Sequence, residues 1–112
     1  MRRRMSPQAA EQRKYPRVQP PKSVVAAWHA GMLRDVCYVE NLALGGLFVR
    51  TKTPAPIRSL VQILLDMPVG QVRARAIVRR VQERRGMAIQ IIAMDPEDRA
   101  RLSQQLRTLL SA

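Results

Sequence analysis

The segment "VRARAIVRRV", residues 72–81, restricts the fold more than any other part of the chain. Val72, Ala74, Ala76 and Val78 alternate with Arg73, Arg75 and Ile77, giving one apolar face and one largely cationic face at a period of two. That period belongs to a strand laid against a core; a helix would scatter the same residues around its axis. After Val78 the phase slips, because Arg80 falls on the apolar face and Val81 on the other. A bulge or barrel corner near Arg79 is the physical remedy.

Other segments repeat the period. "SVVAAWHA" sets Val24, Ala26 and Trp28 on one face, and after the turn-like "AGML" the segment "RDVCYVEN" sets Val36 and Tyr38 together. "NLALGG" interrupts with a glycine pair, "LFVRT" resumes the strand pattern, and "PAPIRS" makes a proline-bounded connection. "LVQILLDM" carries Val61, Ile63 and Leu65 at period two, "PVGQ" leads into the arginine-striped strand, and "ERRG" turns into "MAIQIIA". The period then changes. In "DPEDRARLSQQLRTLLSA", Asp95 suits an N-cap and Pro96 the first helical position, while Glu97 and Asp98 favour the positive helix end. Leu102, Leu106, Leu109 and Leu110 form one helical stripe. Six short strands and one C-terminal amphipathic helix predict a mainly β fold, an antiparallel barrel or sandwich with the helix over an opening or an edge.

At 112 residues the chain has room for one core, so a single domain follows. Residues 1–12 are polar and basic without an apolar period and are expected to form a flexible arm, leaving residues 13–112 as the folded unit. In "QPPKS" two prolines exclude regular ladder pairing before the first strand. The lone Cys37 has no internal disulfide partner and sits in an apolar run, the setting of an inert buried thiol. No segment has the roughly 18 consecutive apolar residues of a membrane helix. The expectation is a soluble protein of the cytoplasm with no membrane span.

Catalysis has little to work with. The single histidine, His29, ends a strand without an acidic or nucleophilic companion, and no metal-ligand spacing, P-loop or dinucleotide fingerprint occurs. The expectation is a protein that is not an enzyme and holds no metal or cofactor. Anion binding is better supplied: twenty Lys and Arg against eight Asp and Glu leave a formal charge of +12. In "RKYPR", Arg13 and Arg17 each bring a planar guanidinium that grips a phosphate bidentately or lies flat on a purine.

"RKYPR" ahead of "NLALGG", with short strands and a terminal helix following, resembles the PilZ domain, a bacterial receptor module for cyclic di-GMP. Arg13 and Arg17 match its RxxxR signature, and Asn41, Ala43 and Gly46 fall on its second signature, D/N-x-S-x-x-G, as NxAxxG. "RRGMAIQII" is similar to the family's last strand, with Ala88 where glycine is common. The resemblance covers about Gln12 to Leu110. It implies a six-stranded antiparallel barrel with the C-terminal helix packed against it, and a ligand site for cyclic di-GMP made by Arg13, Arg17, Asn41, Ala43 and Gly46. The arginines would take phosphates and guanines, Asn41 a guanine edge, and Gly46 would permit close backbone approach. Ala43 removes the hydroxyl of the motif serine. Binding would reorder the N-terminal arm and signal through an effector protein that the sequence does not name.

Two alternatives stay open. The domain serves as a PilZ-like protein-interaction module that has lost ligand binding, or Arg73, Arg75, Arg79, Arg80, Arg84 and Arg85 form a strip for nucleic acid, disfavoured by the scarcity of aromatics for stacking. The sequence does not determine oligomeric state.

Overall fold

Each tight connection falls where the sequence supplies turn residues, and the strands between them close on themselves. The computed structural model describes residues 18–21 and 24–111. Its strands are β1 (Val25–Ala30), β2 (Leu33–Ala43), β3 (Gly46–Arg50), β4 (Leu60–Met67), β5 (Gly70–Gln82) and β6 (Gly86–Ala93), followed by helix α1 (Pro96–Ser111). All neighbouring strands are antiparallel, and the order β1-β2-β3-β6-β5-β4 closes with β4 back against β1. Closure leaves only short unpaired stretches of strand, such as β2 beyond its pairing with β1. The resemblance's barrel is therefore the observed one, and the sandwich alternative falls away.

Two-residue turns join β1 to β2, β2 to β3 and β4 to β5, at Gly31-Met32, Leu44-Gly45 and Pro68-Val69. Gly31 adopts a φ of 60°, a left-handed conformation that a residue without Cβ takes freely. The β5–β6 turn instead holds Arg84 at φ 61°. β5 is the longest strand, 13 residues, because its first part pairs with β4 and its second with β6.

The phase slip expected at Arg79 is a bulge: Val78 opposes Ile89, Arg80 opposes Ala88, and Arg79 is the extra residue. Val81 thereby returns to the core side, where it packs half-buried. A second shift lies on β2, where Val39 opposes Val49 and Asn41 opposes Phe48, leaving Glu40 unpaired in the ladder. Before it Val39 faces the core; after it Leu42 does. Val36 and Tyr38 share a face as expected, but that face is outward, with 67% and 55% exposure. Cys37 and Val39 occupy the inner positions.

The core is aliphatic, built from Val24, Leu42, Leu65, Val72 and Met87 with Trp28 among them. Helix α1 begins at Pro96, and the Arg99 N–H donates to the Asp95 carbonyl, closing its first turn. Its Leu102 and Leu106 join the barrel core, so the helix covers an opening of the barrel and not an edge. The expected leucine stripe is shorter than the sequence suggests, because Leu110 is 51% exposed and buried Gln105 lies beside Leu106.

Candidate ligand-binding site

The bulge at Glu40 decides which face of β2 carries the candidate residues. With Leu42 turned into the core, Asn41 and Ala43 occupy the opposite, outer face two residues apart. Across the ladder Asn41 opposes Phe48 and Ala43 opposes Gly46, while β6 continues both rows with Ala88 and Gln90. Asn41, Ala43 and Gly46 are thus brought together on one outer platform made by β2, β3 and β6.

Gly46 has a structural reason of its own. A Cβ there would stand 2.5 Å from the Ile89 carbonyl oxygen, so the close approach it permits is between β3 and β6. The adjacent Gly45 carbonyl accepts the Ile91 N–H at 2.9 Å, which anchors the turn to the same strand. Ala43 is only 7% exposed. Asn41 is half-buried.

The free edge of β2 beyond β1 is taken by the incoming chain. Val18 and Leu42 exchange both backbone hydrogen bonds, Val18 N–H to Leu42 O at 2.9 Å and Leu42 N–H to Val18 O at 2.8 Å. This bridge docks the N-terminal segment between Asn41 and Ala43. The pairing does not extend toward β1, where Pro20 and Pro21 have no N–H to give. Arg13 and Arg17 lie outside the described residues, Arg17 adjoining Val18 in the chain.

Spacing alone did not reveal what rims the platform. Arg85 lies over the Phe48 ring, 5.3 Å from its centroid, and its guanidinium donates to Glu40 Oε2 and Gln82 Oε1, each at 2.6 Å. Glu40, the extra residue of the bulge, is thus held by an ion pair with the β5–β6 turn. Arg79, the extra residue of β5, donates through Nε to Gln90 Oε1 at 2.6 Å. Two bulged positions and two arginines therefore border the platform. Their proximity depends on β3 pairing with β6, which no local motif announces.

Residues 11–108 match the PilZ domain. The chain belongs to the PilZ family. No curated protein matches the sequence as a relative. Among solved structures, the PilZ domain of YcgR from Escherichia coli, described with c-di-GMP, has a TM-score of 0.72 at 17% identity, with 89% of this chain and 92% of that one covered. The Bacillus subtilis inhibitor of motility MotI/DgrA gives a TM-score of 0.71 at 20% identity over 89% of this chain and 52% of that one. The c-di-GMP complex of MrkH from K. pneumonia gives 0.73 at 17% over 88% and 52%. This chain spans about half the length of MotI/DgrA and MrkH.

On this PilZ barrel the six arginines of the nucleic-acid alternative do not make one strip. Arg73 and Arg75 precede the β5 bulge and face outward beside β4, whereas Arg84 and Arg85 lie at the far turn. At roughly 3.3 Å per strand residue, Arg73 and Arg84 are about 35 Å apart along the chain. Arg79 and Arg85 are already engaged within the domain. Among the described residues, no helix is long and apolar enough to cross a membrane.

Proposed function

We propose that this PilZ domain is a cyclic di-GMP receptor whose ligand site is made by Arg13, Arg17, Asn41 and Gly46, with Ala43 replacing a serine hydroxyl. The observation that carries the reading is the Val18–Leu42 bridge, which holds Val18, the residue that follows Arg17 in the chain, on the strand with the second signature. Covalent geometry keeps the Arg17 Cα about 3.8 Å from that of Val18, so its guanidinium has the reach to meet an anion over Asn41 and Ala43. YcgR and MrkH, whose structures are described with c-di-GMP, share the fold.

The chemistry is recognition without bond making. Two guanidiniums complement the ligand's two phosphodiesters and stack on guanine faces, while the Asn41 amide offers both donor and acceptor to a guanine edge. Gly46 keeps β3 against β6 and the platform flat at that point. Ligand binding draws the arm onto the platform, and the altered arm is the signal read by a partner protein in the cytoplasm.

Isothermal titration with cyclic di-GMP tests the proposal. The expected result is saturable heat for the wild type and at least a hundredfold weaker binding for the Arg13→Ala, Arg17→Ala double variant. No heat at high micromolar ligand, or equal binding by the double variant, overturns it. A second reading, an interaction module that has lost the ligand, is favoured by one observation: Ala43 brings no hydroxyl to the platform. It predicts partner binding insensitive to both cyclic di-GMP and Arg13→Ala.

A further inference from the structure

A second surface lies at the opposite end of β2. There, residues from β2, β1, β4 and β5 line an open groove of about 770 Å³, with the β6–α1 connection at its side. Register makes its floor two parallel rows across the strands. In one, Val36 opposes Ala27, Ala27 opposes Leu64 and Leu64 opposes Arg73. In the next, Arg34 opposes His29, His29 opposes Gln62 and Gln62 opposes Arg75. The first row is mainly apolar, with Val36 67% exposed; the second is polar, with a cation at each end.

We propose that this groove is the docking site for an acidic, amphipathic segment of a partner protein. Charge complementarity favours that occupant. Two of the three carboxylates at the groove are committed inside the domain: Asp98 accepts from the Arg73 backbone N–H at 3.2 Å, and Asp35 accepts from Thr51 Oγ1 at 2.6 Å and the Val36 N–H at 2.8 Å; the third, Asp95, lies on the β6–α1 connection at the groove's side. The guanidiniums of Arg34, Arg73 and Arg75 have no hydrogen bond or ion pair among the described residues. They are left to meet carboxylates from outside, while the Val36–Leu64 row meets an apolar stripe.

Dimensions agree. Three inter-strand spacings of about 4.8 Å make a floor about 14 Å across, enough for one helix of about 10–12 Å diameter. A second copy of this chain would bring another +12 to a cationic surface. A polynucleotide would satisfy the arginines but gain nothing from the aliphatic Val36 and Leu64, and among the described lining residues only the His29 ring is exposed for stacking. The inference supplies the partner surface that the receptor reading requires, and it rests on that reading only for the need of a partner.

The test uses a fluorescein-labelled peptide with leucines on one helical stripe and glutamates flanking it, followed by anisotropy and by amide NMR shifts of the full chain. The expected result is saturable binding, with shifts centred on Val36, Leu64 and Arg75. Arg34→Glu with Arg75→Glu should weaken binding at least about tenfold, as should Val36→Asp. Val36→Ser, which adds no charge at an exposed position, should give a smaller loss in the same direction. Cyclic di-GMP titrations of these variants should match the wild type, so failure of the groove and failure of the ligand site read out separately. No saturable binding, equal affinity for a scrambled peptide of the same composition, tighter binding of duplex DNA, or shifts centred on Arg84 and Arg85 would each overturn the proposal.

Discussion

The two halves of β2 present different surfaces on the outside of the barrel. Before the Glu40 bulge, Arg34, Val36 and Tyr38 point outward, and Arg34 and Val36 line the groove; after it, Asn41 and Ala43 point outward beside β3 and β6. One inserted residue changes the outward parity from even to odd. The later half is local in sequence, since the β2–β3 hairpin brings its residues together, with Val18 bridged to Leu42. The groove half is assembled from four strands, because closure sets β4 between β1 and β5. A site made by a hairpin leaves a spacing signature, whereas a site made by barrel closure leaves only alternation.

The largest effect should come from breaking the platform itself. Gly46→Ala sets a Cβ against the Ile89 carbonyl oxygen, 2.5 Å away, and a backbone atom inside a ladder yields little. We expect a loss of about 3 kcal/mol or more in chemical denaturation, accompanied by loss of ligand affinity. Wild-type stability in this variant would mean that β3 and β6 do not need the glycine.

Separating the halves asks for a smaller change. Val18→Pro removes the N–H that donates to Leu42 and disfavours helical geometry at Arg17. Affinity for cyclic di-GMP should fall by roughly tenfold to a hundredfold, corresponding to about 1–3 kcal/mol, while peptide affinity at the groove stays at its wild-type value. If both fall together, the two ends of β2 are one coupled surface and not two.

Ala43→Ser restores the hydroxyl at the platform. One hydrogen bond contributes about 0.5–1.5 kcal/mol when neutral and about 1.5–3 to a charged group, so binding should tighten by roughly threefold to a hundredfold. Calorimetry that finds no gain would show that Ala43, only 7% exposed, presents its side chain away from the bound ligand.

Much of the fold was legible because alternation is a direct record of a half-buried strand. The inward Val24, Ala26 and Trp28, the helix start at Pro96 and the bulge at Arg79 all follow from residues within a few positions of each other. The Glu40 bulge was harder to read, because Glu40 and Asn41 stand side by side in "VCYVENLAL", so one polar residue falls on each face and neither phase is favoured, whereas on β5 Arg80 and Val81 both point to the same shift. Val36 and Tyr38 share a face as the alternation says, but only the barrel shows that this face is outward. Of the candidate site, the spacing named Asn41, Ala43 and Gly46, which share the platform. It did not name Phe48, Arg85 or Gln90, whose positions depend on β6 pairing with β3. The bridge at Val18 was equally hidden, since a hydrogen bond between backbones has no residue signature.

Cys37, facing inward in the groove half of β2, supplies the smallest effect and a reporter of coupling between the halves. Its thiol donates weakly to the Ala26 carbonyl at 3.7 Å. Burial pushes its pKa from 9.0 up to about 11, the Asp35 carboxylate acts in the same direction, and the Trp28 indole opposes them. Because the folded value lies above the unfolded one, the fold favours the neutral thiol, and that contribution is complete below pH 9.0. It is lost as pH rises from 9.0 through about 11. With partial exposure allowed for, the change should be about 1 kcal/mol, seen as a narrowing of the stability difference between wild type and Cys37→Val across that interval. A difference that stays flat would mean that the thiolate is solvated in the folded state. The same protonation makes Cys37 slow toward maleimide at neutral pH, since the thiolate is the nucleophile. If the halves of β2 are independent, saturating cyclic di-GMP should leave that slow rate unchanged. A several-fold change on ligand addition would instead show that events at Asn41 travel along the strand, past Cys37, to the groove.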